Sequence, residues 1–140
     1  MKKLLILIIL AIPVSTFAQE NLRDAVDKGD IVFIKNYKGN INRPLDKEGW
    51  TALMLAAVYS KPDVANALIA SGADLNAAAR DGKTVLMVAS LYGQADMVKI
   101  LIKAGANINF MNKKGETALS LAVRFKYNNI AELLKKAGAK

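Results

Sequence analysis

Gly49-Trp50-Thr51-Ala52-Leu53-Met54-Leu55-Ala56-Ala57, followed by Gly72-Ala73-Asp74-Leu75-Asn76, decides the fold of this chain, because the same pattern returns at a fixed interval. Gly49, Gly82 and Gly115 are 33 residues apart, and so are Thr51, Thr84 and Thr117. Leu53, Leu86 and Leu119 keep that interval, as do Ala56, Ala89 and Ala122, then Leu68, Leu101 and Leu134, then Gly72, Gly105 and Gly138. Six coincident columns at one period are the mark of stacked, repeated supersecondary units.

Each unit reads as two short helices and a loop. A polar turn with Gly49 precedes Thr51, whose hydroxyl can satisfy free backbone groups at a helix start. Leu53, Ala56 and Ala57 recur at helical spacing, and small alanines let neighbouring helices approach closely. A break follows at Ser60-Lys61-Pro62, and proline suits the first turn of the next helix. Val64, Leu68 and Ile69 give that second helix an apolar stripe, and Gly72 ends it in a left-handed cap. Helices of eight or nine residues fall short of the roughly 12–15 that are already marginal in water, so they gain stability only by stacking.

The unit Gly-x-Thr-x-Leu-x-x-Ala-Ala, a second helix and Gly-Ala-Asp-x-Asn resembles the ankyrin repeat. Gly82-Lys83-Thr84-Val85-Leu86 with Gly105-Ala106-Asn107-Ile108-Asn109 is similar to it, as is Gly115-Glu116-Thr117-Ala118-Leu119. The family's Thr-Pro-Leu-His is altered: Ala52, Val85 and Ala118 stand for the proline, and Met54, Met87 and Ser120 for the histidine. That histidine bridges adjacent loops in the family, so its loss implies a looser loop network here. The resemblance implies an all-α solenoid of about four stacked helix-turn-helix units joined by hairpin loops.

A weaker unit precedes the three clear ones. Leu22, Ala25, Val26, Gly29, Asp30, Ile34 and Tyr37 follow the same logic, ending at Asn40-Ile41-Asn42. Gly29 to Gly49 is 20 residues against 22 from Gly93 to Gly115, so this unit has lost about two, expected between its second helix and its loop. Arg23, Asp24, Asp27 and Lys35 suit a capping repeat with one face in water, and Lys126, Asn128, Asn129, Lys135 and Lys136 mark the other cap. The expected division is a signal peptide at 1–18 and a repeat domain at 19–140, with repeats near 20–45, 46–78, 79–111 and 112–140.

The amino-terminal stretch differs from the rest. Lys2 and Lys3 lead into an apolar run of about eleven residues, Leu4 to Val14, and then Ser15-Thr16-Phe17-Ala18-Gln19. A positive start, a short greasy core and small residues before a cut are the layout of a secretory signal, and the run falls short of the roughly twenty residues a spanning helix needs. Cleavage is expected between Ala18 and Gln19, giving an exported protein, periplasmic or secreted, without a stable membrane anchor. An uncleaved anchor and a first helix of the soluble fold are the alternatives. The chain has no cysteine, so stability rests on a packed core. Net charge is +8, and +6 without Lys2 and Lys3, an excess that suits anionic partners but is scattered, with no basic tail.

Catalysis has little to work with. Histidine and cysteine are both absent, which removes the commonest general base and the soft metal ligands. Asp46, Glu48, Asp81 and Glu116 sit in glycine-marked turns as ordinary turn formers. Ser60, Ser71, Ser90 and Ser120 have no histidine to activate them, and neither Gly-Ala-Asp nor Gly-Ala-Asn is a phosphate-cradling loop. The chain reads as non-catalytic, with no cofactor and no metal.

The ankyrin resemblance implies that first helices and hairpin loops line a concave surface that takes the partner. The residues after the Ala-Ala column fall there: Val58 and Tyr59, Leu91 and Tyr92, Arg124 and Phe125. An aromatic thus recurs every 33 residues, with Trp50 at the edge. Met111 and the basic loop residues Lys47, Arg80, Lys83, Lys113 and Lys114 complete the expected site. Either the rings form a binding ladder or they pack between repeats as extra core. An aromatic floor with a largely basic rim fits a protein partner whose apolar patch is ringed by acidic groups, engaged by a monomeric adaptor, inhibitor or protector in the cell envelope. The second reading is a basic envelope protein on anionic polymer or lipid head groups. Nucleic acid comes third and is not expected for an exported chain.

Overall fold

A computed structural model of the chain describes residues 14–140, with side chains from Asn21 onward. Residues 1–13, which hold the basic start and nearly all of the apolar run of the expected signal peptide, lie outside the described residues. The described chain is helical: α1 (Val14–Lys28), α2 (Ile31–Asn36), α3 (Ala52–Val58), α4 (Pro62–Ala70), α5 (Val85–Leu91), α6 (Ala95–Ala104), α7 (Ala118–Arg124) and α8 (Asn128–Lys136). The loops between pairs fold back as hairpins, and among the described residues their one ladder pairing is the isolated bridge between Ala78 and Thr84.

The threonine column starts the first helix of each clear unit. Thr51, Thr84 and Thr117 accept hydrogen bonds through their hydroxyls from the backbone N–H groups of Met54, Met87 and Ser120. Pro62 opens α4 in its first turn. The turn between paired helices is left-handed in every unit, and here side chains intrude. Gly29 and Gly93 have φ of 71° and 69°, but Ser60 and Lys126 occupy the equivalent turns at 51° and 62°.

Helices stack in two rows. α1, α3, α5 and α7 lie side by side in one, and α2, α4, α6 and α8 in the other, with each pair packed across the gap. Alanine permits the close approach: Ala56, Ala89 and Ala122 are each 0% exposed. Leu68, Leu101 and Leu134 fill the space between rows and are fully buried. The leucine column stops being core at the end of the stack, where Leu119 is only half-buried while Leu53 and Leu86 are sealed. Met54 and Met87 are likewise sealed, but their counterpart Ser120 turns back on Thr117 in a reciprocal capping box.

The residues missing from the first unit come out of its second helix. α2 has 6 residues, where α4, α6 and α8 have 9, 10 and 9. The expected gap between helix and loop is therefore corrected: Asp30 caps α2 through Phe33, and Tyr37 ends it early.

Loss of the family's histidine does not leave the loops untied. On the hairpin side, the Arg80 N–H donates to the Glu48 carbonyl at 2.9 Å, joining consecutive hairpins. Between the second helices and the hairpins, Asn42, Asn76 and Asn109 each accept a bond from the next unit's backbone, at Asp74, Asn107 and Lys140. Lys61 and Gln94, which precede the second helices, reach back to the Asp27 and Val58 carbonyls of the preceding unit.

Candidate protein-binding face

Tyr59, Tyr92 and Phe125 stand at the carboxyl ends of α3, α5 and α7 with nearly one backbone conformation, φ of −82°, −94° and −93° and ψ of 4°, 7° and 8°. Equal backbone geometry on helices stacked side by side repeats the position of the ring from one helix to the next. The three are 47%, 48% and 47% exposed, so none is sealed between repeats. An aromatic side chain left half in water keeps a large rigid area that only a partner can cover.

Other expected site residues divide by environment. Val58 and Leu91 are half-buried and lend part of their surface to the core, whereas Arg124, their counterpart on α7, is exposed. Trp50 also packs partly against the core, and its backbone is held by the Asp46 carboxylate and by Leu45 across the first hairpin. Beside it a cleft of about 280 Å³ is lined by Lys47, Glu48, Trp50, Arg80 and Asp81, with both signs of charge against one indole. Met111 is 62% exposed. Lys113 and Lys114 are exposed at the tip of the third hairpin.

Two of the basic residues have internal partners. Arg124 Nη1 lies 2.9 Å from Glu116 Oε1, and Lys83 Nζ lies 2.8 Å from Asp81 Oδ2 and 4.0 Å from Glu116 Oε2. Asn112, itself buried, donates from Nδ2 to Glu116 Oε2 and accepts the Glu116 and Lys114 N–H groups at Oδ1. The hydrogen bond from Asn112, and then that from Arg124, hold the Glu116 carboxyl below the usual range. Partial burial raises the Asp81 carboxyl, but hydrogen bonds from the Lys83 ammonium and backbone outweigh it and leave the group below its ordinary value.

The basic rim is therefore smaller than a count of lysines and arginines implies. Lys83 and Arg124 are committed to Asp81 and Glu116, while Lys47, Arg80, Lys113 and Lys114 take part in no ion pair among the described residues. Glu116 does more than form a turn, since it ties the second hairpin, through Lys83, to the third and the third to α7, while Asp81 holds Lys83 within its own hairpin. Asn112 was not visible as a site residue in the sequence. Its only signal is that it precedes two lysines and a glycine at a hairpin tip, which many asparagines do.

The arrangement can bind by covering rings and exchanging charge. Among the described residues, no group of three His, Cys, Asp or Glu side chains is placed to hold a metal ion, and no helix is long and apolar enough to cross a membrane. A family model for ankyrin repeats in three copies matches residues 76–140, and a model for the single ankyrin repeat matches residues 48–80. A search of curated proteins finds no match to the chain.

Proposed function

Because residues 48–140 of this chain belong to the ankyrin-repeat family, whose members typically mediate protein–protein contacts, we propose that it is a non-catalytic binding module working through the hairpins and the exposed ends of α3, α5 and α7. The observation that carries this reading is the row of Tyr59, Tyr92 and Phe125, half-exposed at equivalent positions. Aromatics in such a row are the residues from which interfaces draw most of their binding energy. Lys47, Arg80, Lys113 and Lys114 on the hairpins, which enter no ion pair among the described residues, favour a partner whose apolar patch is bordered by carboxylates.

The site of action in this reading is the cell envelope, after export. Support comes from Lys2-Lys3, the short apolar run and the small residues Thr16 and Ala18. Helix α1 passes through the expected cut, and the buried side chains of Leu22, Ala25 and Val26 lie after it. Cleavage after Ala18 would keep them in the mature repeat domain.

The test is capture of partners from envelope extract by the wild-type protein beside a Tyr59→Ala, Tyr92→Ala, Phe125→Ala variant. A partner retained by the first and lost by the second supports the reading. Identical partner sets on both proteins, with both folded, would refute it.

A further inference from the structure

We propose a second interaction surface, separate from the hairpin face: a strip along α6 and α8 that docks on a bilayer rich in anionic phospholipid. Lys99 and Lys103 lie four residues apart on α6 and so share one face of it, and Lys136 closes the strip from α8, which packs beside α6. Two shallow clefts of about 230 and 330 Å³ run between these helices, and Lys99, Leu133 and Lys136 line both of them. Ile102 and Leu133 form a half-buried aliphatic floor.

The three lysines are exposed and enter no ion pair among the described residues, in contrast to Lys83 on the hairpin face. Glu132 is the one carboxylate lining the clefts, and it too makes no ion pair among the described residues. Lysine near a helix carboxyl end is favoured by the helix dipole, which accounts in part for Lys103 and Lys136. It does not account for Lys99 in mid-helix. Nor is it a requirement of the fold, since α4 has no basic residue in its last turn and carries Asn66 and Ala70 where α6 has Lys99 and Lys103.

Lipid fits these groups better than an acidic protein does. The strip has lysine only, with no arginine fork to read a carboxylate and no aromatic anchor. Long aliphatic stems lying on Ile102 and Leu133 can keep their ammonium groups at the level of head-group phosphates. The strip shares no residue with the hairpin face and stands whether or not that face binds protein.

The test is co-sedimentation of the full chain with vesicles, read as the ratio of affinity for vesicles with roughly a third phosphatidylserine to that for neutral phosphatidylcholine. The amino-terminal segment, with Lys2 and Lys3 ahead of its apolar run, is common to all variants, so each ratio is read against that of the wild type. A Lys99→Gln, Lys103→Gln, Lys136→Gln variant should lose on the order of 100-fold of the preference at low salt. A variant of equal charge change on the hairpin tips, Lys47→Gln, Lys113→Gln, Lys114→Gln, should lose only a few-fold, and arginine at 99, 103 and 136 should preserve the preference. All three should melt with the wild type, because the altered side chains are exposed. Equal losses in the two glutamine variants, failure of arginine to preserve binding, or capture of polyglutamate without any vesicle preference would each overturn the proposal.

Discussion

The Asn76 side-chain oxygen accepts a 2.8 Å hydrogen bond from the backbone N–H of Asn107, one repeat further along the stack. Asn42 makes the same bond to Asp74 and Asn109 to Lys140, so the loops that come after the second helices are joined end to end. Each asparagine is itself placed by the residue two positions before it: Asn40, Asp74 and Asn107 accept the N–H groups of Asn42, Asn76 and Asn109. In a solenoid, where stability is the sum of repeats and their interfaces, such bonds act on the interface term.

Asn76→Ala should therefore cost about 1 kcal/mol, the typical net worth of one intramolecular hydrogen bond. Urea denaturation of the variant beside wild type measures it. A loss of cooperativity between the two halves of the stack would accompany the shift, whereas an unaltered midpoint would mean that water replaces the bond at no cost.

Ser60 and Lys126 hold a left-handed turn that Gly29 and Gly93 take elsewhere. A residue with a β-carbon is strained there by roughly 1 kcal/mol, so Ser60→Gly should raise stability by no more than about 0.5 kcal/mol, the rest being offset by the greater freedom of glycine in the unfolded chain. Gly93→Ala should do the reverse and by more, because an added carbon would sit 2.7 Å from the Tyr127 ring as well as carrying the strain. Gly105, with φ of 93° and open space around it, isolates the backbone effect: Gly105→Val should cost roughly 1 kcal/mol or more without any clash. Thermal melts of the three variants give the order.

The helix pairs, threonine caps and glycine caps were legible because each is a single-residue requirement repeated in register, so one column reinforces another. Pro62 at the start of α4 was legible for the same local reason. The left-handed turns at Ser60 and Lys126 were hidden because the residues there are not glycine, the usual signal. The shortened α2 shows in the sequence as a count of missing residues, and no count says which element gives them up. Glu116, ahead of the α7 N-cap, and Arg124, at the end of α7, are 8 residues apart, and their contact lies outside the three- and four-residue spacings by which helical pairs are read. The half-exposure of the aromatic row was open because spacing places the rings at helix ends without saying whether a neighbouring repeat covers them.

Glu116 makes stability depend on pH. Its carboxyl is held below the ordinary value near 4.3, chiefly by Asn112 and Arg124, so its contribution is present in full above that value and disappears as pH falls through the depressed one. Glu116→Gln should lower the melting temperature near neutral pH and approach wild type in acid, once pH has fallen through the depressed value. A constant difference between the two proteins across that range would show that packing of the side chain matters and its charge does not.

The proposed export would leave a mark on the amino terminus. Mass spectrometry of protein recovered from its native cell should find a chain beginning at Gln19, with or without cyclisation of the glutamine. An intact Met1 on membrane-embedded material would refute cleavage and return Leu4 to Val14 to the role of an anchor.

Tyr92 separates binding from folding. It is the central ring of the row, 48% exposed, at the end of a helix whose buried face is made by Val85, Leu86, Val88 and Ala89. Truncation to alanine removes surface that the free protein leaves largely in water, so the melting temperature should fall by no more than about 1 kcal/mol of stability implies. If the row is the centre of an interface, the same truncation should weaken the captured partner by about 1–3 kcal/mol, because a central ring is desolvated on both sides in the complex. Tyr59→Ala and Phe125→Ala, at the flanks, should weaken it less. Calorimetric titration of the partner against each variant, with melts alongside, resolves the three. A large loss of stability with affinity intact would place Tyr92 in the core and move the search for the site to the Trp50 and Arg80 cleft.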